Sequence, residues 1–117
     1  MHERAKEPED LARFFVERAN AGDIEGLVAL YETNATLACG AGKTAVGSEQ
    51  IRQFYNSLLA SRPQFTPGAP ARTLRNGAIA LTSSRLANGD VTAEIARQQP
   101  DGSWLWIVDQ PTIGRDG

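Results

Sequence analysis

Asp109 and Arg97 are the side chains of this sequence whose type and placement best suit chemistry. If the last two strands pair as their turn residues suggest, both lie on one face of a sheet. There a carboxylate can serve as general acid or base, and a guanidinium can bind an enolate or a carboxylate. The same placement has a plainer reading. A charge inside an apolar cavity must be paired or neutral, so the two could form a structural ion pair whose attraction offsets part of its desolvation. Cys39, which ends the short apolar run that opens "TLACGAG", is the second candidate. A reactive thiol needs a nearby histidine, cation or helix N-terminus to lower its pKa. His2, the only histidine, stands in a segment expected to fray, and Lys43 is near only in sequence. The alternative is a small buried side chain that lines a pocket. Tyr31 and Tyr55 could donate hydrogen bonds to a ligand or simply belong to the core. One His and one Cys offer no cluster of metal ligands. The run "GAGK" at 40–43 falls short of the full phosphate-loop spacing.

These residues need elements to position them. "PEDLARFFVERANAGD" carries Leu11, Phe14 and Phe15 at helical spacing behind a favourable start at Pro8–Asp10, and Gly22 stops it. Asp23 is placed to cap a second helix, "IEGLVALY", with Ile24, Leu27, Val28 and Tyr31 on one face. A short strand follows over 36–38, then "GAGKTAVG" as a loop. Ser48 is placed to cap a third helix whose stripe is Ile51, Phe54, Tyr55, Leu58 and Leu59. After Pro63, Pro67 and Pro70 the pattern changes to strands parted by Asn76-Gly77, Asn88-Gly89 and Pro100-Asp101-Gly102. Helices first and an antiparallel meander after give an α+β class, with helices on one face of the sheet.

The turns set registers. Asn88-Gly89 as a two-residue turn pairs Ala87 with Asp90, Ser84 with Ala93 and Ala80 with Arg97. Pro100-Asp101-Gly102 as a three-residue loop pairs Gln99 with Ser103, Arg97 with Leu105 and Ile95 with Ile107. Paired residues share a face. Val91, Ala93, Ile95 and Arg97 then lie with Leu105, Ile107 and Asp109, and Trp104, Trp106 and Val108 lie opposite. A two-residue loop would flip the last strand and take Asp109 off that face.

"RFFVERANAGDIEGLVALYETNATL" followed by "GSEQIRQFYNSLL" resembles the nuclear transport factor 2-like superfamily, chiefly its ketosteroid isomerase-like and SnoaL-like polyketide cyclase branches. The tail "RQQPDGSWLWIVDQP" resembles the last hairpin of small SnoaL-like proteins. The resemblance implies a cone-shaped barrel: a curved, antiparallel-rich sheet closed by three helices from the N-terminal half around an apolar pocket. It also implies a homodimer through the outer sheet face, where Trp104 and Trp106 are expected. Arg97 and Asp109 would look into the cone, with Phe15, Tyr31, Cys39, Phe54, Tyr55, Ile95, Leu105 and Ile107 as the pocket. Ketosteroid isomerases use a carboxylate base and two buried oxyanion donors. Carried over residue by residue, those positions fall at Cys39, Phe15 and near Ile95. None has the needed chemistry, so the resemblance does not carry the steroid reaction with it.

At 117 residues the chain suggests one domain, expected over 8–113 between flexible tails 1–7 and 114–117. With 41% apolar and 22% charged residues it reads as globular. A net charge of −2 gives no case for nucleic acid or an anionic membrane as partner. A single cysteine and a polar "MHERAKEPED" suggest a cytoplasmic protein without a signal peptide. The expected partner is a small apolar organic molecule, with no cofactor and no metal. Three function classes stay open: a cofactor-free isomerase, cyclase or dehydratase using Asp109 and Arg97; a binder that leaves its ligand unchanged; and an interaction dimer with a filled cone.

Overall fold

The three helices form where the apolar spacing places them. The computed structural model describes residues 2–113. Helix α1 spans Asp10–Asn20 and buries Leu11, Phe14, Arg18 and Ala19. Helix α2 spans Ile24–Val28. Its cap is Asp23, whose Oδ1 accepts from the Gly26 N–H at 2.9 Å and so satisfies an otherwise unpaired donor. Helix α3 spans Ser48–Leu58, buries Ile51 and Tyr55, and tightens into a 3₁₀ turn over Leu59–Ser61. Ser48 is its first residue rather than its cap. Gly47 holds the cap position at φ +87°, a left-handed conformation that serine takes only with strain. The Gln50 side chain reaches back to accept from the Val46 N–H at 2.8 Å.

Buried Arg18 ties the helices to the N-terminal segment. Its guanidinium donates to Gly26 O at 2.8 Å and Glu3 O at 2.5 Å. The sequence sets 1–7 apart as a tail, yet residues 2–7 dock: Ala5 is 3% exposed, and its carbonyl accepts from the Trp104 N–H at 2.9 Å. Residues 114–117 lie outside the described residues.

Eight strands make one curved, open sheet: β1 (Tyr31–Gly40), β2 (Lys43–Val46), β3 (Ala69–Pro70), β4 (Leu74–Asn76), β5 (Ile79–Thr82), β6 (Ser84–Arg85), β7 (Val91–Gln98) and β8 (Trp104–Ile113). The main order is β2-β1-β8-β7-β5-β4, with β6 joining β3 to β7. Only β1 and β8 run parallel. Two expectations change here. Tyr31 opens strand β1 instead of extending α2, and β1 runs well beyond 36–38. The expected loop "GAGKTAVG" contains β2, which pairs Ala45 with Leu37.

The registers also differ from the turn-based reading. Asn88-Gly89 does not form a two-residue turn. The Leu86 N–H bonds Asp90 O and the Gly89 N–H bonds Leu86 O, which leaves a three-residue loop closed by Gly89 at φ +90°. Ile79 therefore pairs with Arg97, and Ala80 with Ala96. The β7–β8 loop is three residues long as expected, and Arg97 pairs with Leu105. One step further the ladder slips: Ala96 pairs with Trp106, but Ile95 pairs with Val108. Ile107 is left without a partner, a β-bulge that resets the alternation of every later residue.

The face assignment is inverted near the turn, although the pairing there is the expected one. Trp104 and Trp106 point into the core at 1% and 4% exposure, and do not lie outside. They pack with Leu11, Phe14, Leu27, Tyr31, Leu37, Ile51 and Tyr55 in the main cluster. Arg97 and Leu105 face away from the helices. Beyond the bulge the order switches, and Asp109 returns to the inner face at 6% exposure. No helix among the described residues is long and apolar enough to cross a membrane.

Candidate functional site

The inward chemistry centres on Asp109, Tyr31 and Tyr55. Strand β8 carries Asp109 beside Leu37 of β1. The start of β1 carries Tyr31, and the buried face of α3 brings Tyr55 down onto it. The Tyr31 hydroxyl donates to Asp109 Oδ2 at 2.5 Å and lies 2.6 Å from the Tyr55 hydroxyl. With its one proton given to Asp109, Tyr31 must accept from Tyr55, so the three groups form an ordered chain. Rings enclose it. Trp106 stands 5.2 Å from Tyr31, Phe15 6.2 Å from Tyr55, and Phe54 5.1 Å from Tyr55, between centroids. Phe65, from the loop after α3, closes edge-on against Phe15 at 5.4 Å.

This apolar shell sets the electrostatics. Burial pushes the Asp109 carboxyl up to about 7, the Tyr31 hydrogen bond opposes that rise, and the neighbouring Glu94 carboxyl adds to it. Burial and the Asp109 charge also push both tyrosines upward, so they remain neutral donors at ordinary pH. A carboxyl poised near neutral pH can give or take a proton. The indole Nε1 atoms of Trp104 and Trp106 are both buried without a hydrogen-bond partner, unusual for polar groups in a core.

Of the residues chosen from sequence, the structure brings together Phe15, Tyr31, Phe54, Tyr55 and Asp109. Cys39 packs against the same cluster, partly buried. Burial raises its thiol pKa, which is the wrong direction for a nucleophile. Arg97 is not in the site. It sits half-exposed on the outer face, where it donates to both carboxylate oxygens of Glu32 at 2.9 and 3.0 Å, with Gln99 supporting Glu32 at 2.7 Å. The Arg97–Asp109 pairing fails because the inner face is the tryptophan side, and only the bulge returns Asp109 to it. Ile95, Leu105 and Ile107 likewise stay outside the core cluster and its packed neighbours. His2 pairs with Asp23 at 2.8 Å, at the cap of α2. The run 40–43 is the β1–β2 turn, with no helix after it to receive a phosphate.

Sequence reasoning missed Glu94, Thr82 and Thr92. Thr92, Glu94 and Ala96 alternate along β7 and form its buried set. The signal was the period itself, assigned to the wrong side because Ala93 and Ile95 are the more apolar set. Thr82 Oγ1 donates to Glu94 Oε1 at 2.7 Å. Burial raises the Glu94 pKa, opposed by the Thr82 and Thr92 hydroxyls. Among the described residues no group of three or more His, Cys, Asp or Glu is arranged to hold a metal. An open cleft of about 620 Å³ lies elsewhere, between the N-terminal segment and the β7–β8 turn. Its lining, including His2, Arg4 and Asp101, holds none of the buried acid–base groups.

No protein-family model matches the sequence, and neither does any curated protein. Solved structures do match the fold. A protein of unknown function with a cystatin-like fold from Nostoc punctiforme superposes with a TM-score of 0.70 at 19% identity, over 88% of this chain and 85% of that one. A ketosteroid isomerase-like protein from Erwinia carotovora atroseptica gives 0.66 at 21% identity, over 92% and 94%. A candidate dehydratase from the nuclear transport factor 2-like family of Streptomyces avermitilis gives 0.68 at 16% identity, over 91% and 95%. Three helices laid on a curved, open eight-stranded sheet, matched over most of the chain, give this protein the nuclear transport factor 2-like, cystatin-like fold.

Proposed function

We propose that the protein is an acid–base enzyme of the isomerase, cyclase or dehydratase kind, acting without a cofactor on a small, largely apolar organic molecule. One observation carries this reading: a carboxyl sealed among aromatic rings, hydrogen-bonded to a chain of two neutral tyrosines and poised near neutral pH. Asp109 moves the proton. Tyr31 and Tyr55 orient it and accommodate the change in charge. The unpartnered Trp106 N–H offers a further donor for a polar atom of the ligand. The Erwinia and Streptomyces structures support an activity of this class by fold alone. A cytoplasmic setting fits the single cysteine.

The test joins a binding screen to turnover. Steroids, polyketide-like aromatics and lipophilic acids are screened by thermal shift, since a ligand that binds only the folded form raises the melting temperature. Compounds that bind are then assayed for conversion. Asp109→Asn should abolish turnover and leave the fold intact. Turnover that survives the substitution would show that Asp109 is not the proton carrier.

A second reading has its own support. Tyr31, Tyr55 and Asp109 are each 6% exposed or less, as expected of a cone filled by its own side chains. In that case the protein is an interaction dimer. Its surface is the apolar row Leu81–Ile95–Val108 across β5, β7 and β8, in which Leu81 is 43% and Val108 41% exposed. This row replaces the tryptophans as the proposed outer contact, because both indoles are buried. Sedimentation should show a dimer that Leu81→Lys converts to a folded monomer. A wild-type monomer would remove this surface from consideration.

A further inference from the structure

Glu94 stands directly opposite Asp109 in the β7–β8 ladder, and the two are 7% and 6% exposed. Opposed residues on antiparallel strands hold their Cβ atoms about 4.5–5.5 Å apart on one face. Two carboxyls at that spacing, shielded from water, resist ionising together. The groups facing Asp109 are Tyr31 from β1, Tyr55 from α3 acting through Tyr31, and Glu94 from β7. The groups facing Glu94, besides Asp109, are Thr82 from β5 and Thr92 of its own strand. Among the described residues no Arg, Lys or His forms an ion pair with either carboxyl. A buried acidic pair with no cation beside it lowers its charge by retaining a proton.

We propose that Glu94 and Asp109 hold a single proton between them at neutral pH, and that Glu94 is the positioning residue that keeps Asp109 in its proton-donating form. The proposal rests on the reading of Asp109 as the group that moves the proton. Glu94 accepts from the Thr82 hydroxyl and the Thr92 hydroxyl also favours its charged form, and it is the Asp109 carboxyl that the Glu94 charge pushes up. The shared proton therefore resides mainly on Asp109. When Asp109 gives it to a substrate atom, it is left as the carboxylate that accepts from Tyr31, which accepts from Tyr55. When a proton returns from the product, Asp109 is neutral again and the cycle closes. Glu94 supplies no atom to the reaction.

The test is a carboxyl ¹³C NMR titration of wild type, Glu94→Gln and Asp109→Asn, without substrate. In wild type the two carboxyls should titrate as a coupled pair in two steps. In Glu94→Gln the Asp109 midpoint should fall by at least about one pH unit. In Asp109→Asn the Glu94 midpoint should stay nearly where it was, because in wild type Glu94 ionises first, against an Asp109 that is still neutral. An Asp109 midpoint unmoved in Glu94→Gln overturns the proposal. So does a Glu94 midpoint that falls in Asp109→Asn, which would put the shared proton on Glu94 instead. Glutamine keeps the side-chain length and can still accept from Thr82. If that variant fails to fold, Glu94→Thr, which also removes the charge and suits a strand, reads the same fall in the Asp109 midpoint. Absent turnover sinks the enzyme reading and leaves this one standing. Uncoupled titrations sink this one and leave Asp109 free to act alone.

Discussion

Strands β7 and β8 each have two faces, and these carry opposite chemistry to what burial would suggest. Thr92, Glu94, Ala96, Trp104, Trp106 and Asp109 are buried, so both carboxyls of the pair are inside. The outward row Leu81–Ile95–Val108 is aliphatic, and Arg97 is joined to Glu32 at its end. The helices decide which face is covered, and they cover the one with the largest aromatic area. Two indoles bury more apolar surface than the aliphatic row, and that gain outweighs the cost of carrying carboxyls inward when hydroxyls are there to meet them.

The comparison can be broken first by truncation. Trp106→Ala should lower the unfolding free energy by about 3–5 kcal/mol, read from urea denaturation. Val108→Ala on the outer face should cost less than about 1 kcal/mol. Equal losses would mean that the two faces are not as unlike as they look.

Next in size is the pH dependence of stability. The folded-state pKa of Asp109 is raised, from 3.8 to about 7. Between those values the unfolded chain has released this proton and the folded protein still holds it. Stability from this group is thus fully present below about pH 4 and is lost as pH rises toward 7, at up to about 1.4 kcal/mol per pH unit. Asp109→Asn should flatten that fall in urea melts at stepped pH. A wild-type curve that rises over the same window would reverse the assignment.

The smallest effect belongs to Arg97. Exposed pairs add little to stability, so Arg97→Ala should leave the urea midpoint nearly unchanged and the Asp109 titration where it was. A shifted Asp109 midpoint would place the guanidinium nearer the cone than its bonds to Glu32 allow.

Much of the fold was readable from residue patterns because helix spacing, the Asp23 cap and the Gly-containing turns are local signals. Leu11, Phe14, Ile51 and Tyr55 fall inside as their spacing requires. What local pattern could not supply was long-range. The parallel contact of β1 with β8, which brings Tyr31 to Asp109, joins segments far apart in the chain. The inner face could not be told from the outer because both contain alternating apolar residues. Ile107 is the sharpest case. Nothing in "SWLWIVD" marks it as the unpaired residue, yet were it paired in the ladder Asp109 would face outward with Leu105. The expected position of Asp109 and its observed one thus agree on burial for different reasons, since the face inversion and the bulge offset one another.

That bulge also bears on how a scaffold of this kind can change over evolutionary time. Without the Ile107 codon, Val108 would still stand opposite Ile95 and Asp109 opposite Glu94, in an unbroken ladder that leaves the tryptophans undisturbed. The strand's length can thus vary by one residue at this kink while the residue that performs the chemistry keeps its place.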